Sequence, residues 1–356
     1  MIANKCFKND WIAAQRVRMP NTTAVTIEKS IRAFALLEHL AASGLRFVFK
    51  GGTCMMLHLQ DLRRLSVDID IVCNEGLARI TPVLDQIGQR SPFTRWDEDK
   101  RNPDRRPKRK HFRFYYNSLD PNNPEPFVLL DVVLEPVPHP FTERKPVTVS
   151  FVETVAPPEV TVPTLNGLLG DKLTAFAPET VGIKYIPKLS QQIIKQMFDV
   201  GELFQAATDL DEIRQAHKAS FNAEIGFRSK KFRLNQALDD SLETAFRVSQ
   251  LNLEREGRWD GEKRRILLNG ISAINATLVR ETYTVEEARI SASRAGLLAA
   301  LLRDGCSGRP TRFRYVPERA HELPSSLAGR YAVLNPLRGI ATEAFHNWHQ
   351  VQMLEL

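Results

Sequence analysis

The sequence predicts an α/β (α+β) fold: a mixed-sheet unit over residues 1–160, then a mostly helical domain over residues 161–356. Three observations carry this. Short apolar runs of strand type crowd the first half and alternate with stretches of helical spacing. From Leu165 onward almost every periodic stretch has the helical repeat. Between them, APPEVTVP (residues 156–163) reads as a linker.

Ile27, Ile31, Phe34, Ala35, Leu37 and Leu40 make one apolar stripe, which predicts a helix over residues 26–43 stopped by Gly44. RFVFKGGT (46–53) follows as a short strand ended by two glycines, then CMMLHLQDLRR (54–64) with helical character. SVDIDIVC (66–73) alternates acidic and apolar residues, as a strand with one dressed face does. A helix over residues 79–90 comes next. DEDKRNPDRRPKRK (97–110) is too charged and proline-containing for a core element. HFRFYYN (111–117) and FVLLDVVLE (127–135) read as a hairpin-like pair of strands around the turn-rich SLDPNNPEP. Prolines and charges at 136–146 close this unit, and VTVSFVETV (147–155) is expected to complete the sheet. Helices are predicted within 165–177, 191–207, 264–281 and 286–304, while the tail from Arg309 shows no clear periodicity.

A balance of 49 Lys and Arg against 42 Asp and Glu leaves a charge of +7, which permits a polyanionic partner without requiring one. Cys6, Cys54, Cys73 and Cys306 form no CxxC pair, so they read as reduced thiols of a cytosolic protein. His346 and His349 share a helix face but lack the acids or cysteines of a metal site. The N-terminus has no apolar signal core and no stretch has the length of a membrane helix, so no membrane association is expected and the expected address is the cytoplasm.

The chemistry gathers around Asp68 and Asp70. Two apart on a strand, their carboxylates leave the same face and repel unless a cation lies between them, and oxygen ligands in this arrangement suit Mg2+. Just upstream, Lys50-Gly51-Gly52-Thr53 opens a helix, where backbone N–H groups and the Thr53 hydroxyl are expected to meet a phosphate. A third acid, Asp131, interrupts an apolar strand, where a carboxylate is costly unless it is paired or binds a metal. Three carboxylates on neighbouring strands are what two-metal phosphoryl transfer needs, with Mg2+ or Mn2+ as the ions. A DxD alone is common on exposed strands; the combination with the glycine turn and Asp131 is the signal.

These residues resemble the DNA polymerase β-like nucleotidyltransferase superfamily, whose signature is GG or GS, a helix, then DxD. KGGTCMMLHLQDLRRLSVDIDI is more narrowly similar to the AbiEii/AbiGii (MenT-like) toxin family, with Arg64 and Ser66 in its Arg-x-Ser-x-Asp-x-Asp segment. The resemblance covers roughly residues 45–205. It implies a polymerase-β-like core and a nucleotide site that includes Lys50, Gly51, Gly52, Thr53 and Ser66. In the helical half it implies that Lys172, in GDKLTAF, contacts nucleotide phosphates and that Lys195 and Asp199, in IKQMFDVGELF, belong to the later motif, Asp199 helping to shape the site. It further implies an NTP substrate, an RNA acceptor (the 3′ end of tRNA) and a cognate antitoxin.

Between Asp97 and Arg113 eight Lys and Arg face four Asp and Glu, and Arg105, Arg106, Lys108, Arg109 and Lys110 are candidates for gripping RNA. Phe112 and Phe114 alternate with Arg113 as a strand does, and the aromatics of this run (Phe112, Phe114, Tyr115 and Tyr116) are expected to face the core. Two rival readings change the acceptor to a small molecule or protein hydroxyl, or make the chain a non-catalytic basic RNA-binding module.

Overall fold

A computed structural model describes residues 1–100, 107–253 and 260–356. The chain forms two compact units: residues 1–138, 142–164 and 276–282 make the first, and 139–141, 165–275 and 283–356 the second.

The first unit begins with α1 (Asn9–Arg18) and α2 (Ala24–Ala42). The Thr23 hydroxyl accepts from the Thr26 N–H and caps α2, and Ile27, Ile31 and Leu37 are fully buried, as the stripe predicts. Next come β1 (Val48–Lys50), the short α3 (Gly51–Met55), β2 (Ile69–Val72) and α4 (Leu77–Gly88). β3 (Phe93–Glu98), β4 (Arg109–Tyr116) and β5 (Phe127–Val133) complete a five-stranded mixed sheet in the order β1-β2-β5-β4-β3. β2 and β5 run parallel, and every other pair is antiparallel.

Several expectations need correction: the helical character expected over 54–64 ends with α3 at Met55, and the helix expected over 264–281 ends at Ile274. The charged segment 97–110 supplies strand residues at both ends: Asp97 and Glu98 close β3, while Arg109 and Lys110 open β4. Cross-strand ion pairs make this tolerable, with Arg113 on Asp97 and Lys110 on Glu98. Residues 147–155 do not extend the sheet, because their backbone turns back locally (Thr148 N–H to Pro146, Val152 N–H to Val149). The expected linker instead contains β7 (Glu159–Pro163), paired with β6 (Thr142–Pro146) in a separate two-stranded sheet. Val160 and Val162 are buried, so this proline-flanked run does alternate.

The second unit is helical: α5 (Leu165–Ala175), α6 (Ser190–Ala206), α7 (Leu210–Gly226), α8 (Leu234–Gln250), α9 (Gly261–Ile274), α10 (Val285–Arg303), the short α11 (Leu337–Ile340) and α12 (Thr342–Leu354). Its core includes Phe198, Phe204, Phe345 and Trp348, all fully buried. The unassigned tail resolves into 3-10 turns and α12, and the Trp348 indole N–H donates to Ser249. Among the described residues, no helix is long and apolar enough to cross a membrane.

Candidate active site

β2 and β5 each bury one face. Ile69 and Ile71, like Val128, Leu130 and Val132, are fully buried, whereas Asp70 and Asp131 lie on the opposite, half-buried face. Because the two strands are parallel with Asp70 opposite Asp131, the carboxylates are lateral neighbours, roughly 5 Å apart at the backbone. The row continues on both flanks. Lys50 stands opposite Asp70 across β1–β2, and His111 stands opposite Asp131 across β4–β5. His111 Nδ1 lies 2.6 Å from Asp131 Oδ1.

The glycine turn is shaped around this row. Gly51 has φ +83°, and a Cβ there would fall 2.1 Å from Asp70 Oδ2, so the Asp70 carboxylate occupies the place of a side chain. A Cβ on Gly52 would meet Arg64 Nη2 at 2.8 Å and Ser66 Oγ at 3.0 Å. The turn, Asp70, Arg64 and Ser66 therefore close on one another.

Asp68 precedes β2 by one residue, and its half-exposed carboxylate lies 3.9 Å from Lys29 Nζ. Thr53 is fully buried, and its hydroxyl donates to the Asp68 backbone carbonyl at 2.5 Å, so it fixes the approach to the DxD segment.

Three carboxylates offer an all-oxygen donor set, the kind a hard divalent cation takes, and Gly51 leaves room for one of them. In donor chemistry these residues fit Mg2+. Their present orientations differ from a closed ligand shell: Asp131 turns to His111, Asp70 to Gly51 and Asp68 to Lys29. Among the described residues, no three Asp, Glu, His or Cys side chains are gathered around one point.

Lys172 and Asp199 lie in the second unit, on α5 and α6. Both are buried, and Lys172 Nζ is 2.7 Å from Asp199 Oδ2. Lys195 is half-exposed on α6. Of the basic candidates, Lys108 and Arg109 are exposed and Lys110 pairs with Glu98, while Arg105 and Arg106 lie outside the described residues. Phe112, Phe114 and Tyr116 are buried, as alternation predicts, and Tyr115, on the opposite face, is buried as well.

Sequence reasoning missed three supports. His111 reads as part of a basic stretch, and only the register shows it facing Asp131. Ser30 donates to the Ser66 carbonyl at 2.9 Å and, with Lys29, braces the DxD approach from α2. Residues 276–282 return to the first unit, where Leu65 N–H donates to Thr277 at 2.8 Å and Val279 N–H to Arg63 at 2.9 Å, holding Arg64 in place. No local signal marks a pairing more than 200 positions away.

Residues 35–279 match the family described as nucleotidyl transferase AbiEii toxin, type IV toxin–antitoxin system. Among solved structures, the chain is similar to MenT4, the nucleotidyltransferase toxin Rv2826c from Mycobacterium tuberculosis H37Rv, at 14% identity and a TM-score of 0.55 over 98% of this chain and 99% of that one. This likeness speaks to the fold. JHP933 from Helicobacter pylori is similar at 15% identity and a TM-score of 0.43, over 78% of this chain and 90% of that one. No curated protein matched the sequence. With the family match spanning well over half its length, the chain belongs to the AbiEii family of nucleotidyltransferase toxins of type IV toxin–antitoxin systems.

Proposed function

We propose that this enzyme transfers a nucleoside monophosphate from an NTP to an RNA hydroxyl, at the 3′ end of tRNA, with release of pyrophosphate. The observation that carries the reading is the in-register pair Asp70–Asp131 beside the Gly51 turn. In the reaction a bond forms between the acceptor oxygen and the α-phosphorus, and the bond from the α-phosphorus to the bridging oxygen of pyrophosphate breaks. The acceptor proton passes to solvent. Asp68, Asp70 and Asp131 would hold Mg2+, or Mn2+ in its place, which when bound supplies charge neutralisation for the triphosphate and polarises the attacking hydroxyl.

The chain's own residues do the rest. Gly51 and Gly52 bring backbone N–H groups close to the acids with no side chain in the way, and Ser66 and Lys50 add a hydroxyl and a positive charge at the same turn. Thr53 and Ser30 fix the segment that carries Asp68. The motif assigns Lys172 to the nucleotide phosphates, with Asp199 fixing the lysine through their buried pair. Lys195 is assigned to the same nucleotide site. Lys108 and Arg109, exposed where β4 begins, are assigned to the RNA backbone, together with Lys110 and the undescribed Arg105 and Arg106. The toxin family supports a cognate antitoxin as partner.

The test is a transfer assay with Mg2+, each α-labelled NTP in turn and total tRNA, comparing wild type with Asp70→Ala. Label on RNA with wild type alone supports the reading and names the nucleotide. Absence of RNA label with all four nucleotides removes the RNA acceptor. Label then found on a protein or small molecule keeps the chemistry and changes the acceptor.

A further inference from the structure

We propose that His111 is a positioning residue that orients Asp131 for divalent-metal binding; the inference rests on the metal role proposed for Asp131.

The strand ladder dictates the contact. β4 alternates, with Phe112, Phe114 and Tyr116 buried and His111 and Arg113 on the opposite face. The His111 carbonyl accepts from the Asp99 N–H at 2.8 Å, on the β3 side. In an antiparallel ladder a residue's N–H and C=O point the same way, so His111 makes no backbone bond to Asp131. Such a non-hydrogen-bonded pair brings opposing side chains closest, and here the imidazole meets the carboxylate at 2.6 Å.

The chemistry follows from the donor inventory. In this contact the His111 Nδ1–H donates and the Asp131 Oδ1 accepts, which fixes the tautomer. With one oxygen committed, rotation of the carboxylate is restrained and the other oxygen is left to serve as a ligand. Asp131 is flanked on its other side by Asp70, so the bond also fixes the third acid relative to the DxD segment. Outer partners of this kind orient metal ligands, and their loss typically weakens metal affinity about 10- to 100-fold. His111 ends the row on the side of Asp131, with 16% of its side chain accessible, so its imidazole borders the acids directly.

The test uses Mn2+ as the probe, titrated into full-length, nucleotide-free protein and followed by electron paramagnetic resonance. His111→Phe keeps the ring and removes both nitrogens, His111→Asn keeps a donor near the place of Nδ1, and Asp131→Asn is the reference loss. Melting curves establish that each variant folds. The expected result is a Mn2+ Kd raised about 10-fold or more in His111→Phe, with most of the loss recovered in His111→Asn. Wild-type affinity in His111→Phe alongside weakened binding in Asp131→Asn would overturn the positioning role and leave the metal reading standing. Equal losses in both His111 variants would show that the donor near Nδ1 is not what matters, and would overturn it too. Wild-type affinity in Asp131→Asn would remove the metal reading at Asp131, and this inference with it.

Discussion

At the scale of single residues the site depends on what is missing as much as on what is present. Gly51 has no Cβ, and the Asp70 carboxylate sits where one would be. Gly51→Ala therefore meets two obstacles: a left-handed φ costing an L-residue about 1–2 kcal/mol, and a direct collision with Asp70. The expected outcome is a nucleotidyl-transfer rate lower by on the order of 100-fold, since displacement of a reacting group by about 1 Å is enough for that. Melting temperature should fall only modestly. An unchanged rate would show that Asp70 works from another orientation. Residue types and spacing made the glycines, Asp68, Asp70 and Asp131 legible as a group, and the family resemblance added Ser66. The Thr53 hydroxyl shows why residue type alone is ambiguous here: after a glycine turn it serves a backbone carbonyl as readily as a phosphate.

At the scale of elements, pairing partners decide what the acids can do. The alternation of β2 and β5 predicts which face each acid takes, but that they are parallel neighbours in register is a property of the sheet. The same limit explains the misplaced strands: β7 hides in a proline-flanked run, and β3 ends in acids whose arginine and lysine partners come from β4. Between α5 and α6 the buried Lys172–Asp199 pair makes its own prediction. Lys172→Met removes the 2.7 Å partner of a fully buried carboxylate and should destabilise the second unit by up to about 3–5 kcal/mol, as should Asp199→Leu. The double substitution, with neither charge left, should recover much of that loss in a denaturation midpoint. Additive losses would show that the two charges do not depend on each other.

For the molecule as a whole, pH is a readable variable. Burial pushes His58, in the first unit, down to about 4, with the Lys145 charge adding to the effect. Burial likewise pushes His217, in the second, down to about 4. A histidine lowered on folding is neutral in the native state and protonated when unfolded, so stability is lost as pH falls from about 6.5 towards 4. From pH 7 to pH 5 each should cost about 2 kcal/mol. Burial raises Asp240, in the second unit, to about 6, and there the sign reverses: its contribution falls as pH rises from about 4 to 6. Hydrogen exchange at pH 7 and pH 5 should therefore show protection around His58 falling more steeply on acidification than around His217, where Asp240 offsets the change. His58→Gln should flatten the first response. Equal acid sensitivity in wild type and His58→Gln would refute the assignment.

The sequence by itself determined α2, the strands that carry the acids, the division into a sheet-bearing and a helical part, and the acids and glycines of the candidate site. Those are set by periodicity, turn chemistry and the cost of placing carboxylates in apolar strands, all of which act over a few neighbouring residues. Only the tertiary structure decided that Asp131 lies beside Asp70, that His111 faces Asp131, and that residues 276–282 return to hold Arg64. Those depend on register and on closure of long loops, whose free energy comes from the assembled sheet and core and is written in no local pattern.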